Sequence, residues 1–186
     1  MMIVTDHLVL REFAESDFEA MLAYQADPRY LRYYPRSWAE RTREEARKFF
    51  QRQLDAQQEQ PRTSFQVAIT LREDGRLIGN VGVRRSSANA TEGDIGCELA
   101  PDYWSLGYAT EATRAILAFG FEQLGLHRLS ASTIAANSGA WRVLEKLGMT
   151  REGELRETTL LEDGWANSLI YGMLEQEWRT RSEDGA

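Results

Sequence analysis

The apolar positions of this chain follow two periods, and each change of period marks a change of element. Phe65, Val67, Ile69 and Leu71 recur at every second residue, which predicts a strand. Asp74-Gly75 turns the chain, and residues 77–83 return as its hairpin partner. Further on, Ile95, Cys97 and Leu99 alternate with Asp94, Gly96 and Glu98. Residues 94–99 therefore read as the third strand of an antiparallel meander, stopped by Pro101, which has no N–H to donate. From Thr110 the period lengthens: Ala112, Ala115, Ile116 and Phe119 recur at helical spacing, with Leu117, Phe121 and Leu124 widening the stripe. That pattern predicts a long helix packed deeply on a sheet.

The flanking segments fit around this centre. HLVLR, residues 7–11, reads as a first strand. Ser16 and Glu19 have the spacing of a capping box for a helix with Phe18, Met21 and Leu22 inward, ended by Asp27-Pro28. Thr42 and Glu45 form a second box, before a helix with Ala46, Phe49, Phe50 and Leu54 on one side. After the long helix, 129–134 reads as a strand, and Asn137-Ser138 opens a helix carrying Ala140, Val143, Leu144 and Leu147, with Gly148 as its C-terminal glycine. Two more strands follow, one leading to Asp163-Gly164 and one over 168–174, and 180–186 reads as a frayed tail. The order is strand, two helices, three strands, helix, strand, helix, two strands. With 186 residues, a single α/β domain over 1–186 is expected.

Composition narrows the function classes. A 42% hydrophobic and 27% charged chain is ordinary for a soluble globular protein. A formal net charge of -7 disfavours nucleic acid as a partner, since binding it requires clustered Lys and Arg. Cys97, the single cysteine, excludes an intramolecular disulfide and reads as a small buried strand residue. No apolar run near the start suits a signal peptide, and none approaches the roughly 18 residues of a membrane span, so a cytoplasmic location is expected and no membrane partner. His7 and His127 stand far apart and, with one cysteine, make a metal site unexpected.

The most informative chemistry sits where the long helix begins. Leu106-Gly107-Tyr108-Ala109 puts residues with little or no side chain where free backbone N–H groups and the positive end of the helix dipole converge, as a phosphate would require. A tight turn that needs Gly107 for its backbone angles alone is the other reading. The context favours the first. YWSLGYATEA, then FEQLGLHRLSA, then NSGAWRVLEKLGM resembles the acetyl-CoA-binding core of the GNAT superfamily of N-acetyltransferases, and more closely the branch that acetylates ribosomal-protein N-termini. The resemblance runs from HLVLREF to SLIYGMLEQEW.

It implies a single mixed, mostly antiparallel sheet of about seven strands, flanked by helices and splayed between strands 4 and 5, with acetyl-CoA (coenzyme A) in the gap. Backbone N–H groups of Leu106, Gly107, Tyr108, Ala109 and Thr110 would hold its pyrophosphate. The strand edge at Cys97 and Leu99 would pair with the pantetheine amides, and Asn137 would touch the pantetheine side. Asn137 also suits a helix N-cap. Relatives often carry Gln or Arg at the front of this loop, where Trp104, Ser105 and Leu106 stand here.

An amine acceptor arrives mostly protonated near pH 7, so a base is useful. Glu98 is the first candidate, on the strand bordering the gap and facing away from Cys97 and Leu99; Glu157 is the second. Glu111 reads as structural, fixing the helix start, and Asp94 is ambiguous. Tyr30, Tyr33, Tyr34 and Trp38 crowd into nine residues, as a substrate wall or as packing between helices; the resemblance favours Tyr33, Tyr34 and Trp38 as substrate-binding. Relatives place hydroxyls where this chain has Leu144 and Ala140, and often Asp where it has Asn167. The expected activity is acetyl transfer to a primary amine, on a protein N-terminus or a small molecule. The competing reading is a non-catalytic acyl-CoA-binding or regulatory domain. Dimers are frequent among relatives, and monomer and homodimer both stay open.

Overall fold

The computed structural model describes residues 1–184. Its eight strands form one sheet: β1 (Met2–Val4), β2 (Leu8–Arg11), β3 (Ser64–Leu71), β4 (Leu77–Arg84), β5 (Glu92–Leu99), β6 (Arg128–Ile134), β7 (Thr150–Leu161) and β8 (Gly164–Leu174), in the order β1-β2-β3-β4-β5-β6-β8-β7. The meander β3-β4-β5 is antiparallel, as its alternation predicts. The strand beyond the expected seven is β1, paired antiparallel with β2. Three residues are too short to carry a readable alternation, and Met2 and Val4 are exposed.

The helices are α1 (Phe18–Gln25), α2 (Pro28–Leu31), α3 (Arg36–Ala39), α4 (Arg43–Ala56), α5 (Tyr108–Ala118), α6 (Ser138–Lys146) and α7 (Glu175–Asp184). They cover both sheet faces, so β4 is buried along nearly its whole length rather than on alternate residues. On one face, Ala112, Ile116 and Leu117 of α5 pack with Leu10, Val67, Ile69, Val81, Val83 and Ile95. On the other, Phe18, Met21, Tyr24, Tyr30, Ala46 and Phe50 gather over Ala68. A π-helical segment, Phe119–Gln123, extends α5.

Two expected signals are read differently by the fold. Thr42 and Glu45 do form a capping box at α4. Ser16 and Glu19 do not: Asp17 takes the Ala14 N–H at 2.8 Å and a two-pronged contact from Arg11 at 2.7 and 2.8 Å, while Glu19 pairs with Arg43. A buried carboxylate matched by the Arg11 fork outcompetes a serine cap. At the other end, a frayed tail was expected over 180–186, and residues 180–184 are helical instead. α7 continues to Asp184, and Gly185 and Ala186 lie outside the described residues.

Candidate active site

The sheet opens between β5 and β6, the fourth and fifth strands if β1 is not counted. These parallel strands pair only at Glu92–Arg128, Gly93–Leu129 and Asp94–Ser130, so the rest of β5 has no neighbour on that side. The Ala100 N–H donates to Ile78 at 2.8 Å across β4. By antiparallel alternation the backbone groups of Glu98 also turn to β4, and those of Cys97 and Leu99 turn to the gap. The Leu99 carbonyl accepts the Trp104 indole N–H at 2.8 Å, leaving the Leu99 N–H and both Cys97 backbone groups for another chain or ligand.

Cys97 is exposed, not buried as its strand position suggested. Alternation shows that β5 has two unlike faces, but not that the neighbouring strand departs beside it. Dense protein around the thiol still pushes its pKa up to about 12, with the Thr113 hydroxyl a smaller opposing influence.

The loop from β5 to α5 carries two left-handed residues, Ser105 (φ 62°) and Gly107 (φ 91°). Gly107 is the N-cap of α5, with no side-chain cap on the helix, and a Cβ there would meet nothing within 4 Å. The first-turn N–H groups of α5 thus start beside open space, at the positive end of the dipole. Glu111 anchors this start, accepting from the Thr5 hydroxyl at 2.6 Å, the His7 N–H at 2.8 Å and the His7 ring at 2.9 Å. Burial would raise its pKa, but these contacts outweigh burial and hold it below the usual glutamate value. Asp94 is likewise structural, paired with Arg84.

Glu98 points to the other face of β5, into a polar nest within the apolar cluster. Its Oε2 accepts from the Tyr30 hydroxyl, from Gln25 Nε2 at 2.9 Å and, more weakly, from the Tyr24 hydroxyl at 3.4 Å. Asn80, opposite Glu98 in register, donates to the Tyr24 oxygen at 2.8 Å, and Arg41 Nη2 donates to Gln25 Oε1 at 2.9 Å. Among the described residues no donor is bonded to Oε1. Burial, followed by the charge of Glu98, raises the pKa of Tyr24, Tyr30 and Tyr34 well above the ordinary tyrosine value. These hydroxyls therefore stay protonated, and those of Tyr24 and Tyr30 steady a carboxylate whose second oxygen is available.

Of the expected aromatic wall, Tyr34 stacks on Tyr30 at 4.2 Å and leads to Trp38 at 5.5 Å, while Tyr33 turns toward Trp104 at 6.3 Å. Asn137 is the N-cap of α6, its Oδ1 accepting the Ala140 N–H at 3.2 Å; among the described residues its Nδ2 has no partner. Glu157 sits in an irregular stretch of β7 at φ 52°, its backbone N–H bonded to Asn167 Oδ1 at 2.9 Å. Among the described residues it shares no hydrogen-bond partner with the Glu98 nest. Leu144 is buried and Ala140 half-buried, and as hydrocarbon side chains neither supplies an acid. Tyr24, Gln25, Asn80 and Arg41 were not singled out from the sequence; the available signal was a pair of polar residues, Tyr24 and Gln25, on the covered side of an apolar helix.

A family model described as an acetyltransferase (GNAT) domain matches residues 7–150. The chain belongs to the GNAT acetyltransferase family. It is 32% identical to the uncharacterized N-acetyltransferase YnaD of Bacillus subtilis (strain 168), over 96% of this chain and 99% of that one. Among solved structures, a GNAT-family acetyltransferase from Bacillus anthracis superposes with a TM-score of 0.80 at 29% identity, covering 95% of this chain and 100% of that one. Mycobacterium smegmatis RimJ, solved in complex with CoA-disulfide, shares the fold at a TM-score of 0.77 and 22% identity, over 91% of this chain and 83% of that one. The GNAT chain is thus an N-acetyltransferase whose sheet opens beside a helix start on one face and a held carboxylate on the other.

Proposed function

We propose that this GNAT enzyme moves the acetyl group of acetyl-CoA to a primary amine seated at Glu98, by direct attack. The observation that carries the reading is the early parting of β5 and β6, which leaves the Cys97–Leu99 edge unpaired between the start of α5 and Glu98. The residues present fit acetyl-CoA. The gap edge offers unpaired backbone donors and an acceptor for the pantetheine amides, and the N–H groups of Tyr108, Ala109 and Thr110, with Leu106 and Gly107 before them, suit a pyrophosphate. Asn137 Nδ2, left over by the N-cap at the start of α6, is a further donor. That RimJ was solved with CoA-disulfide supports the same choice. When bound, the thioester supplies an activated acyl carbon.

The chain's own residues then have three tasks. Backbone amides fix the cofactor, so that attack occurs within one complex rather than between free molecules. Glu98 Oε1 accepts a proton from the incoming ammonium, leaving a neutral amine beside the gap. Tyr24 and Tyr30 keep Oε2 engaged, so the carboxylate holds one orientation. No positioned acid is required, because a thiolate with a pKa near 8.5 leaves without one.

The test is free-thiol release from acetyl-CoA with a panel of amines and peptides, followed across pH. With chemistry limiting, kcat should rise as amine or base loses its proton and then stay flat to about pH 9.5, because the tyrosines around Glu98 are shifted upward and Ala140 and Leu144 have no ionisable group. A falling limb between about pH 8 and 9.5 in stable enzyme would mean that another group, such as Tyr108, protonates the leaving sulfur. Acetyl-CoA binding with no turnover on any amine would favour a regulatory acyl-CoA-binding domain instead.

A further inference from the structure

Arg41 occupies a position that acetyl transfer alone does not explain. Its guanidinium is half-buried, 3.9 Å from the Trp38 ring centroid and 5.4 Å from that of Phe49. Among the described residues it has no carboxylate at ion-pair distance. Its hydrogen bond goes to Gln25, a neutral amide. Burial lowers its pKa, and the more distant charges around it offset this only in part. A desolvated cation without a close counter-charge is costly, and an anion brought by a ligand would relieve that cost.

The surroundings suit such an anion. Arg41 lines a cavity of about 530 Å³ with Trp38, Phe49 and Arg52. Arg52 also has no carboxylate partner among the described residues, and the buried indole N–H of Trp38 has no acceptor. The two acids on this wall are committed elsewhere: Glu40 to Arg36 at 3.1 Å, and Glu45 to its capping box with Thr42. A ladder of rings, Tyr30–Tyr34–Trp38–Phe49, with centroid spacings of 4.2, 5.5 and 5.3 Å, leads from Glu98 to the cavity.

The spacing between the charges is also informative. One side-chain amide, that of Gln25, reaches both, donating to Glu98 at 2.9 Å and accepting from Arg41 at 2.9 Å. Glu98 Oε2 and Arg41 Nη2 therefore stand about 8 Å apart at most, within reach of a small molecule that carries an ammonium and an anionic group two or three bonds apart with a hydrogen bond at each end.

Resting on the acetyltransferase reading above, we propose that the acceptor is a zwitterionic amine. Its ammonium sits at Glu98 and its carboxylate or phosphate on Arg41, which makes Arg41 the residue that selects the acceptor. Polyamines, with a second cation where Arg41 stands, are disfavoured.

The test compares acceptors that differ only in the anion: β-alanine against β-alaninamide, and 2-aminoethyl phosphate against ethanolamine, with spermidine and a peptide N-terminus alongside. Rates are expressed per neutral amine. The acid of at least one pair should be preferred by about tenfold or more in kcat/KM, mainly through KM, as one charge-assisted contact allows. The two pairs separate carboxylate from phosphate as the natural anion. Arg41→Gln should bring the acid-to-neutral ratio near one, and Arg41→Lys should keep part of it. Equal use of acid and neutral acceptors by wild type, better use of spermidine or the peptide, or an unchanged ratio in folded Arg41→Gln would each overturn the proposal. If Arg41→Gln does not fold, the wild-type ratios and Arg41→Lys decide. Thiol release from no member of the panel would sink the enzyme reading together with this one.

Discussion

Glu98→Gln is expected to lower kcat by a factor of order 10² at pH 7 while leaving acetyl-CoA affinity nearly unchanged. Glutamine has the same shape, and its carbonyl oxygen can still accept from Tyr30 and Gln25, which now meet the Oε2 atom of Glu98. The nest should therefore survive, which circular dichroism and a melting curve would check. What is lost is the proton acceptor and its charge. The division between parameters is the useful part: a rise in KM with kcat retained would make Glu98 only a seat for the ammonium, whereas a fall in kcat marks it as the base. Full activity in the variant would return Glu98 to a purely structural role.

The second large effect is expected at Gly107. Its φ of 91° is one that a β-branched residue adopts only under strain, and the valine side chain would project where a phosphate must approach the first turn of α5. Gly107→Val should weaken acetyl-CoA binding by more than tenfold, or more than about 1.4 kcal/mol, by calorimetry. A Cβ at this position would meet no protein atom within 4 Å, so the added β-carbon itself makes no clash inside the protein. Unchanged affinity in a folded variant would remove the loop from the cofactor site.

The fold was readable in the sequence wherever one period ran long enough. The β3–β4–β5 meander, the stripe on α5, the Thr42–Glu45 box and the Gly148 stop, where the Gly148 and Met149 N–H groups return to Glu145 and Leu144, are all local signals. The gap was not readable from local pattern and came only from family resemblance, because the parting of β5 from β6 is a property of two strands far apart in sequence. The same limit hid the environment of Glu98. Its position on the edge of a strand was visible, but Tyr24, Gln25 and Tyr30 come from 68 to 74 residues away, and no spacing rule connects them. Cys97 was misjudged for a related reason: a period of two separates faces without showing where cover ends. Asn137, by contrast, fills its expected N-cap, since an Asn at a helix start needs only its own next turn.

Cys97 also offers the most direct test of the central claim, that the thioester arm lies along the open edge of β5. As the chain's one cysteine, exposed but with a pKa pushed up to about 12, it should react slowly and measurably with iodoacetamide at alkaline pH, followed by mass spectrometry of its peptide. Saturating coenzyme A, at a concentration shown by calorimetry to fill the protein, should slow that labelling by about tenfold or more, as expected when a bound ligand occludes the site. Labelling at the same rate with coenzyme A bound would contradict the account, because the cofactor would then lie somewhere other than the gap between β5 and β6.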